Sequence, residues 1–321
     1  MSDKLNMNAL DGKYLESHRL CFFIHDVMVE FLKSGEQNKV FTSIFDLNGQ
    51  ENKDLASFEG HILDWLKSKN KNKEYEIAIK KTLIPAVSDM LHCIYEVLKA
   101  MESGKITVAY LLLRKPIQEN LYLFEEMLLQ KSDFIKTLED DPLRLRPKNA
   151  GGVEGHQKKI AEILGGFNSI LDAKYIAALR YDKTNEDSFA GCCNQAMHLF
   201  TEHKAIKTEN MNVNFIFAGV EARKTLYDFM YSRLPYLMYY FYVIFEMVVS
   251  SISRTTDTYL LDIHNRIAAM FLLTSKHITE DYQTKQYYDL CIALEKYLIA
   301  NFNCSLNLDL LKSIASSGKI N

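Results

Sequence analysis

The chain has 321 residues, 48 % of them apolar and 25 % charged, with a formal net charge of −3. This balance excludes wholesale disorder, and the lack of a global basic field argues against non-specific nucleic-acid binding. With 13 Gly and 5 Pro beside 18 Tyr and 18 Phe, a turn-rich all-β protein is also excluded, and long helices with short connections are expected.

The opening residues, MSDKLNMNALDGKYLE, are polar and lack the apolar stretch of a secretory signal. Residues 13–33 read as the first helix, because Leu20, Phe23, Ile24, Val27 and Phe31 recur at helical spacing and Gly35 closes the pattern. Residues 40–48 fit either a short strand or a helical turn. A short helix over 57–67 carries Phe58, Ile62 and Trp65, the single tryptophan, and leads into a solvated lysine-rich connector. Residues 74–101 form a long amphipathic pattern that Pro85 should kink or divide, and 106–130 form a second with Pro116 inside. Ser132 is placed to cap a further short helix ending at Leu138.

The clearest interruption is 139–156, EDDPLRLRPKNAGGVEGH. It divides the chain into 1–139 and 157–321, or it is a long loop within a single helical domain spanning 1–321. The similar character of the flanking helices favours the loop. Helices follow over 157–179, 192–205, 220–253, 255–276, 279–302 and 306–314, the fifth of these starting at Thr279. Between the second and third, residues 212–217 alternate like a strand or belong to another helix.

Residues 234–252, LPYLMYYFYVIFEMVVSSI, are the most apolar stretch and approach the length of a membrane span. Pro235, Glu246 and the tyrosines oppose that reading, since a carboxylate inside a span costs roughly 2.5–3.5 kcal/mol. A buried central helix is expected instead. On it Tyr239, Tyr242, Val243, Glu246 and Ser250 share one face. A lone buried carboxylate is costly, so Glu246 calls for an Arg, a Lys, a Tyr hydroxyl or a metal opposite it. Arg114 follows three leucines and is the matching cation, with Gln118 one turn on and Glu119 beside it. Arg114, Gln118, Glu119, Tyr239, Tyr242 and Glu246 therefore form a candidate pocket.

Three further groups could carry chemistry. Asn194, His198 and Glu202 lie at i, i+4 and i+8 of an expected helix, with an imidazole between an amide and a carboxylate as acid–base work requires. Arg144, Arg146 and Lys148 could make an anion-binding loop beside a helix start. His18, Cys21 and His25 fall within about 60° on one helix face and are transition-metal ligand types; no other cofactor is expected. The six cysteines form no framework and suit free thiols in a reducing cytoplasm. There is no Walker ending, Gly-x-Ser-x-Gly elbow, His-Glu-x-x-His or Cys-x-x-Cys pair, nor an Arg and His at the spacing shared by compact helical ribonucleases.

The expected fold is mainly α, an irregular bundle of about ten helices around 234–252 with little or no β. The functional expectation is a cytoplasmic interaction or regulatory protein, with a protein partner or homo-oligomer favoured over nucleic acid. The alternatives are an enzyme or small-ligand-binding protein using the Arg114–Glu246 pocket, and a metal protein using His18, Cys21 and His25.

Overall fold

A computed structural model describes residues 10–69, 74–166, 170–198, 200, 202, 207–208 and 220–320. Among these the fold is wholly helical, with thirteen α-helices and no strand. Residues 40–48 are irregular, neither strand nor helix. The alternation at 212–217 lies outside the described residues.

Helix α1 (Leu15–Gln37) buries Ser17, Leu20, Cys21, Ile24, Val27 and Met28, so of the residues read from the sequence Leu20, Ile24 and Val27 are buried while Phe23 and Phe31 are half-buried beside them. It continues past Gly35, and Lys39 beyond its end takes a left-handed φ of 56°. The short polar helix α2 (Gly49–Ala56) buries nothing, which is why apolar periodicity misses it. It is set by a capping box in which Asn48 accepts from the Glu51 backbone while the Glu51 carboxylate accepts from the Asn48 N–H, both at 2.9 Å. Helix α3 (Ile62–Ser68) follows, and α4 (Glu74–Glu102) runs unbroken through Pro85.

Pro116 has the larger effect. Helix α5 (Ile106–Lys115) ends before it, and residues Pro116–Asn120 form a π-turn that leads directly into α6 (Leu121–Asp140). Proline offers no N–H to the preceding turn, and the ladder slips so that the Leu121 N–H reaches the Pro116 carbonyl. The separate helix expected from Ser132 is simply the end of α6. Two 3₁₀ turns, Pro142–Leu145 and Pro147–Ala150, order the interruption before α7 (Gly152–Gly165). Its glycines are structural. Gly151 has φ 89°, and a Cβ on Gly155 would stand 1.7 Å from the Ala150 carbonyl oxygen.

Helices α8 (Ala173–Tyr181) and α9 (Phe189–Gln195) precede α10 (Val220–Ser250), a single 31-residue helix through Pro235. Helices α11 (Asp257–Ser275), α12 (Lys285–Phe302) and α13 (Leu308–Ser317) complete the fold. The side-chain cap of α12 is Thr284, not Thr279, which begins a 3₁₀ turn. One apolar core extends from Leu10 to Ile314 and draws on helices from both sides of 139–156. Trp65, Leu66 and Ile77 form a small separate cluster. No described helix is long and apolar enough to cross a membrane.

Candidate functional site

From Leu226 to Val249, every residue of α10 is buried except Val243, Glu246 and Met247. These three stand at i, i+3 and i+4, so the interruption in packing is a single face of the helix. That face opens onto a solvent-open cleft of about 680 Å³, lined on its other sides mainly by α11 and α12. The cleft is the size of a small-molecule site. Tyr239, Tyr242 and Ser250 extend the same wall, while His264 comes from α11 and Tyr297 from α12.

Aromatic rings dominate the interior. The His264 imidazole meets Tyr297 at 4.7 Å between centroids, Tyr239 at 6.2 Å and Tyr242 at 6.4 Å, each inclined edge to face. The Tyr297 hydroxyl is anchored outside this group, donating to Asn265 at 2.9 Å. Glu246 has neither a hydrogen bond nor an ion pair among the described residues, and the same holds for the hydrogen bonding of His264. Arg254 lies at the same cleft but is highly exposed and paired with Asp257 at 3.2 Å.

Burial sets the electrostatics. It pushes the Glu246 carboxyl up to about 7 from an ordinary 4.5, because no cation compensates the charged form. It lowers His264 for the same reason, so the ring favours its neutral state. The Tyr242 hydroxyl is pushed up by burial and by the charge of Glu246. An apolar, aromatic cleft thus contains one carboxyl poised near neutrality and one neutral imidazole.

The pocket expected from the sequence is brought together only in part. Tyr239, Tyr242 and Glu246 share this wall, but Arg114 does not face Glu246. Arg114 is half-buried, with its Nε donating to Gln118 Oε1 at 3.2 Å and a guanidinium nitrogen 3.7 Å from the Met197 sulfur. Glu119 is exposed on the π-turn, and the Gln118 amide donates to the Arg180 carbonyl at 2.7 Å.

The cation with no exposure at all is Arg180, which sequence reasoning missed. It pairs with Glu125, and neither side chain has any exposure. Its Nε donates to the Ile117 carbonyl at 2.6 Å, while the Tyr181 hydroxyl donates to the Gln118 carbonyl at 3.0 Å. Both carbonyls belong to the π-turn. Tyr240 on α10 donates to Glu125 Oε1 at 2.6 Å and completes the network. The available signal was the position of Arg180 on the apolar face of α8, four residues after Ile176.

The other groups separate in space. Helix α9 ends at Gln195, so Asn194, His198 and Glu202 do not line one helical face. The Gln195 carbonyl and side chain instead accept the backbone N–H groups of His198 and Glu202, at 2.9 and 2.8 Å. His203, beside that expected stripe, lies outside the described residues. His18 contacts Tyr231 at 2.7 Å and Glu102 at 3.0 Å, whereas His25 pairs with Asp26 at 2.9 Å. The Phe22 ring packs against both imidazoles, and Cys21 is wholly buried with its thiol pushed up. Among the described residues no group of three His, Cys, Asp or Glu side chains is arranged to hold a metal. Arg144, Arg146 and Lys148 do converge, on a second cleft. No family model, curated protein or solved structure matches this chain.

Proposed function

We propose that this chain is a binding protein for a small amphipathic molecule carrying a basic nitrogen, held in the α10–α11–α12 cleft with its cation on Glu246. The observation that carries this reading is Glu246, unpartnered among the described residues, at the break in the burial of residues 226–249 and beside tyrosine rings. An ionised carboxylate there lacks a counter-charge, and a ligand ammonium supplies one. Tyrosine faces favour the same cation through their quadrupole, while Val243, Met247, Leu260 and Leu294 suit an apolar body.

The cleft favours a small-molecule ligand over the protein partner or homo-oligomer expected from the sequence. The most exposed large apolar side chains, Phe200, Ile44 and Tyr288, belong to separate parts of the chain. The proposal places the protein in a reducing, cytoplasmic setting, supported by six unpaired cysteines, three of them buried.

The test is calorimetric titration with a phenylalkylamine, its matching alcohol and its matching carboxylate. The amine should bind, with the alcohol weaker and the carboxylate weakest. Glu246→Gln should weaken amine binding by about tenfold or more, the scale of a charged hydrogen bond. Equal binding of the three compounds, or an amine affinity untouched by E246Q, would remove Glu246 from the reading.

A further inference from the structure

A second cleft, of about 520 Å³, lies where the two 3₁₀ turns after α6 face α6 and α7. Its character is opposite to the first. Arg144, Arg146, Lys148 and Lys159 line it, together with the carboxylates Glu126 and Asp141. The four cations exceed the two acids by two charges, and of the acids only Glu126 has an ion-pair partner among the described residues. Glu126 is almost wholly buried and paired with Lys159 at 2.6 Å, and Asp141 accepts from the Leu143 N–H at 3.2 Å. Arg144, Arg146 and Lys148 have no ion-pair partner among the described residues.

The segment carrying these cations is held in place. Prolines start both 3₁₀ turns, and the Asn149 amide donates to the carbonyls of Leu143 and Arg144 at 2.9 and 3.2 Å. Three like charges held around one concavity repel each other unless an anion lies between them. Fixing the backbone that carries them reduces the ordering that binding such an anion would require. The chain has a net charge of −3, so this positive site is local. Its concave shape suits a compact ligand better than an extended strand, which would need a long basic stripe.

We propose that this cleft binds a small polyanion, a metabolite-sized molecule bearing two or more phosphates, with Arg144, Arg146 and Lys148 as its counter-charges. The site is independent of the Glu246 cleft and does not rest on the amine-binding reading.

Calorimetric titration of the full chain with inorganic pyrophosphate, orthophosphate and sulfate tests it. Pyrophosphate should bind saturably and more tightly than either single anion. The Arg144→Gln/Arg146→Gln double variant should weaken it at least about tenfold. Arg19→Gln/Lys285→Gln, which removes two exposed cations elsewhere, should leave it unchanged. Both arginines are exposed, so the double variant should retain its helical circular dichroism. Indistinguishable weak binding of all three anions, or equal loss in the two double variants, would overturn the proposal. So would binding of a single-stranded oligonucleotide or of phosphatidic-acid vesicles that pyrophosphate does not displace.

Discussion

Glu246 carries the most informative single carboxyl in the protein. Its folded-state value near 7 lies above the ordinary 4.5, so the folded chain binds this proton more tightly than the unfolded chain does. The stability it contributes is fully present below about 4.5 and is lost as pH rises through about 7. His264 and His18, both lowered by burial, act in the opposite sense and withdraw stability as pH falls below 6.5. Comparing wild type with E246Q by urea unfolding at several pH values isolates the carboxyl. Wild type should lose stability relative to E246Q between pH 4.5 and 7 and hold a constant difference above that. Parallel pH profiles would mean that Glu246 is well solvated. The stripe containing Glu246 was legible in the sequence because helical spacing fixes which residues share a face. Its surroundings were not, because a cation such as Arg114 can satisfy a nearer amide just as well.

At the scale of elements, a small change in one helix decides what its neighbours hold. Pro116 turns one expected helix into α5, a π-turn and α6, and the carbonyls of Ile117 and Gln118 are met by Arg180 and Tyr181 of α8. Glu125 and Tyr240 then tie α6 and α10 to the same guanidinium. Removing one partner leaves a buried charge uncompensated. Arg180→Met should therefore cost about 3–5 kcal/mol in urea unfolding, and adding Glu125→Leu should recover part of that loss. A single variant as stable as wild type would show that the pair does not determine the packing of these helices. Pro116 was visible in the sequence, but the slip it causes depends on which side chains donate to the freed carbonyls. Helix α9 gives the converse case: the expected stripe over Asn194, His198 and Glu202 is lost because the helix stops at Gln195, whose side chain accepts the Glu202 N–H from the irregular segment beyond.

Over the whole molecule, one core draws on helices before and after the Pro- and Gly-rich interruption, while Trp65 lies in a satellite cluster with Leu66 and Ile77. Few buried apolar contacts support that satellite, which puts it at the low end of local stability. Tryptophan fluorescence therefore reports the satellite, and circular dichroism reports the bundle. The fluorescence transition in urea should precede the loss of helix; coincident curves would mean that the two clusters unfold as one.

The sequence by itself determined that the chain is helical, that most of 234–249 is buried and that Glu246 interrupts its apolar surface, although the expected central helix stops at Ser250 and leaves Ser250 and Ser251 exposed. Those properties follow from spacing and composition, which act along the chain. Only tertiary structure decided that Arg180 is fully buried against Glu125, that Glu246 faces an aromatic cleft without a counter-charge, and that α6 and α7 bring Glu126 and Lys159 opposite the three cations expected at the loop. Each of those depends on which helix faces arrive opposite one another, and side-chain spacing along a single helix does not encode that.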